Sequence, residues 1–377
     1  MARSFNMAVE SEWRSWLALK LVRGIGNVVG LSLVRAFGHP RAVFEASGQA
    51  MECAGLRRGV AQEIRRFDRW AEVERQLVRL EAFRGRLVTW DDETYPENLR
   101  HIHDPPLFLF MKGDLLPGDA LAIAVVGSRA ASTYGLRMTA QIAEGLARLG
   151  VTVVSGLARG VDGQAHAAAL RAGGRTVAVL GCGIDVTYPS EHHRLQMQIA
   201  RNGAVVSEFP MGTPPDAENF PARNRVISGM SLGTLVVEAG EKSGSLITAQ
   251  SALEQGREVF AVPGPVGVTN RGTHRLLRQG ATLIETAEDI IREMAPHVLA
   301  ARPQPPPQPL DGVDARVFAC LTDTGVHVDQ IIGQTGLSPA AVLEALLHLE
   351  LRGLIRQQPG KYFARENAGG RHASANR

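Results

Sequence analysis

Short apolar runs that stop at glycine set the frame of this chain. Residues 121–129 read Leu-Ala-Ile-Ala-Val-Val-Gly-Ser-Arg, and an uninterrupted apolar run of that length is the pattern of a strand buried on both faces. Five more short runs rich in Val, Ile and Leu follow at 151–154, 176–180, 204–207, 234–237 and 258–262, most of them separated by helix-length segments. Strand and helix in alternation predict a mostly parallel α/β sheet. Ligands of such sheets bind at the carboxyl ends of the strands, where loops enter helix N-termini. Further strands are predicted at 86–90 and 107–111, and a last strand-helix pair over 282–294. The stretch from Tyr95-Pro96 to Asp104-Pro105-Pro106 is predicted to be an extended connector, because residues before proline avoid the helical region.

The flanks carry a different period. Over residues 10–84, Trp13, Trp16, Leu17, Leu33, Phe37, Ile64, Phe67, Trp70 and Leu77 fall at helical spacings, which predicts a helical module over 1–84. Inside it, Leu21-Val22-Arg23-Gly24-Ile25-Gly26 has the form of a helix-hairpin-helix turn, whose N–H groups can face a phosphate; a Gly-x-Gly between helices serves as often as a plain tight connection. Arg65, Arg66, Arg69, Arg75 and Arg79 are interleaved with Glu63, Asp68, Glu72 and Glu74, a solvated face and not a basic stripe. Residues 302–309, Arg-Pro-Gln-Pro-Pro-Pro-Gln-Pro, mark an extended linker over 299–310 after an α/β domain spanning 85–298. Over 311–365 the runs 317–321 and 328–333, the turn Gly336-Leu337-Ser338, and a helix opened by Pro339 with Val342, Leu346 and Leu349 inside predict a helix-turn-helix. A hairpin from Gly353 to Phe363 makes it a winged helix. Its candidate recognition helix shows Glu344, His348 and Glu350, with Arg352 only at the end; carboxylates there oppose phosphate, so the helix is read as structural or protein-contacting. Residues 366–377, rich in Gly, Ala, Ser, Asn and Arg, are expected to be disordered.

Composition narrows the setting. A chain of 377 residues allows two or three domains, and a formal charge of +3 permits nucleic acid without requiring it. Cys53, Cys182 and Cys320 form no Cys-x-x-Cys pair, so no disulfide framework, zinc site or other cofactor is indicated, and a reducing, cytoplasmic setting fits. The first residues lack an apolar signal core, and no apolar run reaches the ~18 residues of a membrane helix, so no membrane insertion is expected.

The candidate chemistry gathers at the strand ends. Gly127-Ser128-Arg129 followed by Ser132 as N-cap makes a phosphate cradle with a forked cation beside it, although Arg129 could instead pair with a local carboxylate. Gly-x-Gly-x-x-Gly is missing, and with it the dinucleotide fingerprint. Ser155-Gly156-Leu157-Ala158-Arg159-Gly160-Val161-Asp162 offers glycines for close approach and Asp162 as a cap for the next helix; Asp162 with His166 is more simply a cap and its neighbour than a catalytic dyad. Cys182, without an evident activator, is read as a buried inert thiol. Phe220-Pro221-Ala222-Arg223-Asn224-Arg225 places two arginines and an asparagine at a helix start, where they suit oxyanion contact. Lys242-Ser243-Gly244-Ser245 imitates a Walker loop without its spacing, leaving an anion-friendly nest and no P-loop.

Together, Gly127-Ser128-Arg129, the 155–162 loop, Phe220 to Arg225 and Ser243-Gly244-Ser245-Leu246-Ile247-Thr248-Ala249 resemble, in order and spacing, the signature loops of the DNA-processing protein A (DprA, also Smf) family. Tyr95-Pro96, Asp104-Pro105-Pro106, Tyr188-Pro189, Glu238 and Pro263-Gly264 match as well, so the resemblance covers roughly 86–290. It implies an extended Rossmann-like domain that binds single-stranded DNA, forms a homodimer and loads RecA recombinase onto incoming strands during natural transformation. It also implies that the N-terminal module is SAM-like where the family carries one. Arg129 is the DNA contact that the matched motif implies; Lys242 and Phe220 are added from loop chemistry. No nucleophile, base and orienting group assemble in the sequence, which is a binder's constellation. With only 5% aromatic residues, and Phe220 and Tyr134 the few beside the motif loops, binding is expected to rest on phosphates more than on stacking. The competing class is an enzyme: nucleotide phosphoribohydrolases of the lysine-decarboxylase-like group also place a Gly-Thr and a glutamate after a late strand, as Gly233-Thr234 and Glu238 do here, but their Pro-Gly-Gly is replaced by Met230-Ser231-Leu232. Glu238 as a structural cap or arginine partner is the simpler reading.

Overall fold

The computed structural model describes residues 2–300, 310, 312–352 and 354–365. By their contacts the residues form two compact units that divide between 301 and 302.

In the first unit, six helices come first: α1 (Ala2–Leu21), α2 (Asn27–Phe37), α3 (Pro40–Glu45), α4 (Gly48–Cys53), α5 (Arg58–Arg65) and α6 (Trp70–Ala82). The chain then enters β1 (Arg86–Thr89), a single helical turn α7 (Glu97–Arg100) and β2 (Phe108–Gly113). The predicted connector is thus helical in its middle. Pro96 stands at the N-cap of α7, where its missing N–H costs nothing, and Leu99 is buried beneath.

The alternation follows as predicted: β3 (Ala122–Val126), α8 (Thr133–Arg148), β4 (Thr152–Ser155), α9 (Val161–Arg171), β5 (Thr176–Val179), α10 (His193–Asn202), β6 (Ala204–Ser207), α11 (Asn219–Gly229), β7 (Gly233–Val236), α12 (Ser245–Glu254), β8 (Glu258–Ala261), α13 (Arg271–Arg278), β9 (Thr282–Leu283), α14 (Ala287–Met294) and α15 (Pro296–Ala300). The nine strands lie in the order β1-β2-β6-β5-β4-β3-β7-β8-β9. Every pairing from β6 to β9 is parallel, and β2 joins antiparallel to β6 and to β1.

Both sheet faces are covered, which is why the strands read as solid apolar runs. In β3, Ile123 and Val125 pack with α8, α9 and α14, while Ala124 and Val126 turn to the side of α11 and α12. The helices after β3 and β7 therefore leave on opposite faces, and the chain reverses its winding between these neighbouring strands. A crevice opens there. The N-terminal helices belong to this same unit: Trp16, Leu33, Met51, Ile64 and Leu80 share a core with Phe108, Phe110, Leu180 and Val205.

The second unit contains α16 (Gly312–Ala319), β10 (Val326–His327), α17 (Val328–Thr335), α18 (Pro339–Leu351), β11 (Ile355–Gln358) and β12 (Tyr362–Arg365), with the antiparallel order β10-β12-β11. Val317, Ile331, Val342, Leu346, Leu349, Ile355 and Phe363 are its core. Pro339 sits in the first turn of α18, as the sequence predicts, and Ser338 of the preceding turn caps the helix. The proline run 302–309 and the tail 366–377 lie outside the described residues, and α15 runs through 299 and 300, where the linker was expected to begin. No helix among the described residues is long and apolar enough to cross a membrane.

Candidate nucleic-acid interface

The crevice between β3 and β7 is an open cleft of about 830 Å³, walled by the loops after β3 and β7 and the start of α11. Every one of these loops carries a motif singled out in the sequence. How their polar groups are used decides what the cleft can bind.

The β3 loop is tied to the β7 loop through Glu238. Its backbone carbonyl accepts the Ser128 N–H at 2.7 Å, and its buried carboxylate accepts both the N–H and the hydroxyl of Ser132. Ser132 in turn caps α8, its oxygen accepting the Gly135 N–H at 3.1 Å, and the Ser128 hydroxyl accepts the Ala130 N–H. Glu238 is therefore the structural cap that the sequence favours, and it is no arginine's partner among the described residues. The Ser128 N–H and both donors of Ser132, expected to cradle a phosphate, are thus already engaged, whereas the Ser128 hydroxyl serves only as an acceptor within the loop. At the start of α12 some donors are likewise used: Ser243 N–H bonds Gly240, Leu246 N–H bonds Ser243, Ile247 N–H bonds Gly244, and the Ser243 and Ser245 hydroxyls share a 2.8 Å bond.

The β4 loop is closed from within. Ser155 is buried and donates to Val125. Asp162 does not cap its own helix; its carboxylate accepts from Gly156 and Ala158 in the loop before it. Burial raises its pKa, and the charge of Arg223 opposes that rise. Gly160 adopts φ +73°, and any side chain there would drive into the Ser128 carbonyl. Gly156 faces the Arg223 guanidinium with no room for a Cβ. His166 is buried against Thr176 and not paired with Asp162. Burial, His192 and Arg223 together hold its pKa down at about 3, so the ring is neutral. Cys182 is buried as expected, its thiol raised to about 11 chiefly by burial.

The arginines separate into two kinds. Arg223, 5% exposed, donates to the Gly156 and Val179 carbonyls at 2.6 Å each, and burial lowers its pKa. Arg225 points away from the cleft to pair with Glu208 at 2.6 Å and Asp104 at 3.1 Å. Arg159 pairs with Glu191. Asn224 is buried, its amide directed to the Gly244 carbonyl. Arg223, Asn224 and Arg225 were expected at an anion; in the fold they, with Arg159, tie loops together. Arg129 and Lys242 are the exposed cations of the cleft wall. Neither has an ion pair among the described residues, and the Arg129 guanidinium lies 4.8 Å from the ring centroid of the half-buried Phe220. Tyr134 is fixed by a 2.7 Å bond to the Pro263 carbonyl. Sequence reasoning passed over Tyr188 as a site residue; its ring comes to 6.0 Å from Phe220.

A family model described as DNA recombination-mediator protein A matches residues 86–295, and one described as the DprA winged helix domain matches residues 301–361. The chain belongs to the DNA recombination-mediator protein A family. The resemblance drawn from the loops is thereby borne out. The chain is 41% identical over 356 residues to Protein Smf of Escherichia coli strain K12, covering 92% of this chain and 94% of that one. The X-ray structure of DNA processing protein A from Streptococcus pneumoniae superposes with a TM-score of 0.64 at 36% identity, over 74% of this chain and 98% of its own. A structure of DNA processing protein A from Helicobacter pylori, concerned with that protein's unique single-stranded DNA binding mode, gives a TM-score of 0.51 at 30% identity, over 56% of this chain and 96% of its own. Within the family match fall all the cleft-lining loops; α1 to α6 precede it.

Proposed function

We propose that the chain binds single-stranded DNA in the cleft, shields incoming strands and hands them to RecA recombinase during natural transformation, acting as a cytoplasmic homodimer. The observation that carries the reading is the pair of exposed cations, Arg129 and Lys242, on one open cleft beside Arg223 and Asn224, which are engaged within the fold. Side-chain cations on an open wall suit a chain of phosphates, and a strand held by its phosphates is bound with little sequence preference. The single-stranded DNA binding of the Helicobacter pylori relative supports the ligand. The Glu238 carboxylate, 1% exposed and engaged by Ser132, supports a binder over the phosphoribohydrolase alternative. We therefore read the protein as a non-enzyme.

Titration of equal-length single- and double-stranded DNA tests the proposal. Tighter binding of the single strand, falling steeply with salt, is expected. Equal binding of both forms would refute it, and steady release of free base from a nucleoside monophosphate, abolished by Glu238→Gln, would establish the enzyme instead. RecA delivery is checked by the rate at which RecA assembles on strands already coated with a single-strand-binding protein.

A further inference from the structure

We infer that Tyr188 is a base-stacking residue of the interface, and that Phe220 is the pedestal that positions it and Arg129. The inference rests on the reading of the cleft as a single-strand site. Phe220 is half-buried and closed in on several sides: the Arg129 guanidinium lies 4.8 Å from its ring centroid, Arg223 lies 5.8 Å away, and its edge rests against the backbone at Gly181. Tyr188 stands 6.0 Å from that ring with the two planes 30° apart, close to an offset stack. It is 40% exposed. The gap enclosed among Arg129, Tyr188 and Phe220 holds only about 10 Å³, too little for a nucleobase, so a base that reaches this cluster lies on the outer face of Tyr188. The phenol makes no hydrogen bond among the described residues, and Tyr188→Phe separates the contribution of the ring from that of the hydroxyl.

The arrangement couples two kinds of recognition on one pedestal. Arg129 meets a phosphate, Tyr188 meets the base beside it, and Phe220 sets the distance between them. A stacked base contributes without regard to its identity, since every base has a π-face, and typically changes affinity by about 1–3 kcal/mol, which is roughly five- to 150-fold.

The test uses the full chain with a short oligonucleotide, an otherwise identical strand of abasic sites, and a strand carrying the fluorescent base 2-aminopurine. Tyr188→Leu is expected to weaken the normal strand about tenfold, to leave the abasic strand unchanged, to keep the slope of log affinity against log salt, and to lose 2-aminopurine quenching. Tyr188→Phe is expected to keep all four properties of the parent. Phe220→Leu is expected to lose both quenching and part of the salt slope, since both neighbours lose their support. Should Tyr188→Leu bind the normal strand as the parent does, or lose equal affinity for normal and abasic strands, the stacking role is overturned while single-strand binding stands. A parent chain that binds no single strand overturns both.

Discussion

The cleft at the strand ends and helix α18 of the winged-helix unit occupy the two positions at which their folds commonly meet nucleic acid, and they offer opposite surfaces. The cleft presents exposed Arg129 and Lys242 beside an aromatic pair. Helix α18 presents Leu343 and Leu347, each more than half exposed, with Glu344 exposed between them and Glu350 bonded to the Gln357 N–H. A phosphate approaching the first meets cations; approaching the second it meets carboxylates and apolar surface. A fold supplies a place for a ligand, and only the side chains there decide which ligand is admitted.

The contrast is broken most severely from inside the cleft. Arg223→Met leaves the Gly156 and Val179 carbonyls without their donor and removes the buried countercharge of Asp162. A loss of about 3–5 kcal/mol of stability is expected, together with DNA binding. Differential scanning calorimetry reads it, and a variant that melts like the parent would show Arg223 to be dispensable bracing.

Arg129→Ala acts on binding alone. Affinity for poly-dT and for mixed sequence should fall by roughly tenfold, the order of one charge-assisted contact. The log affinity against log salt slope should drop by roughly 0.7, with an unchanged melting temperature. Arg129→Lys should recover only part, since a point charge replaces a fork. A destabilised alanine variant with the parent's salt slope would assign Arg129 to the fold.

The smallest effect is expected from the other side of the comparison. Ending the chain after Ala300 removes α18 entirely and should leave single-strand affinity nearly unchanged. A large loss in a truncated protein that remains folded would make the winged helix part of the DNA site.

These distinctions were unequally legible in the sequence. Strands β3 to β8 announced themselves because a strand covered on both faces is built mainly of apolar residues, and Ser132 and Pro339 announced their helices because helix-start signals are local. Strand β10, two residues long, left no run to detect, and α7 is a single turn hidden among prolines. At the site, the loops were legible as motifs, but the duties of their arginines were not. Arg129, Arg223 and Arg225 look alike in a sequence; what separates them is that Arg225 meets Glu208 and Asp104 from distant segments, that Arg223 is buried under two carbonyls, and that Arg129 meets neither. Tyr188 was overlooked for the same reason, since its approach to Phe220 exists only after folding.

The β3, β4 and β7 loops are bonded to one another by backbone: Val161 donates to Ser128, and Ser128 donates to Glu238. A wall knitted in this way is already formed before a strand arrives. Association then involves the search and ordering of the flexible strand, and its rate should respond to ionic strength and strand length without the lag of a closing gate.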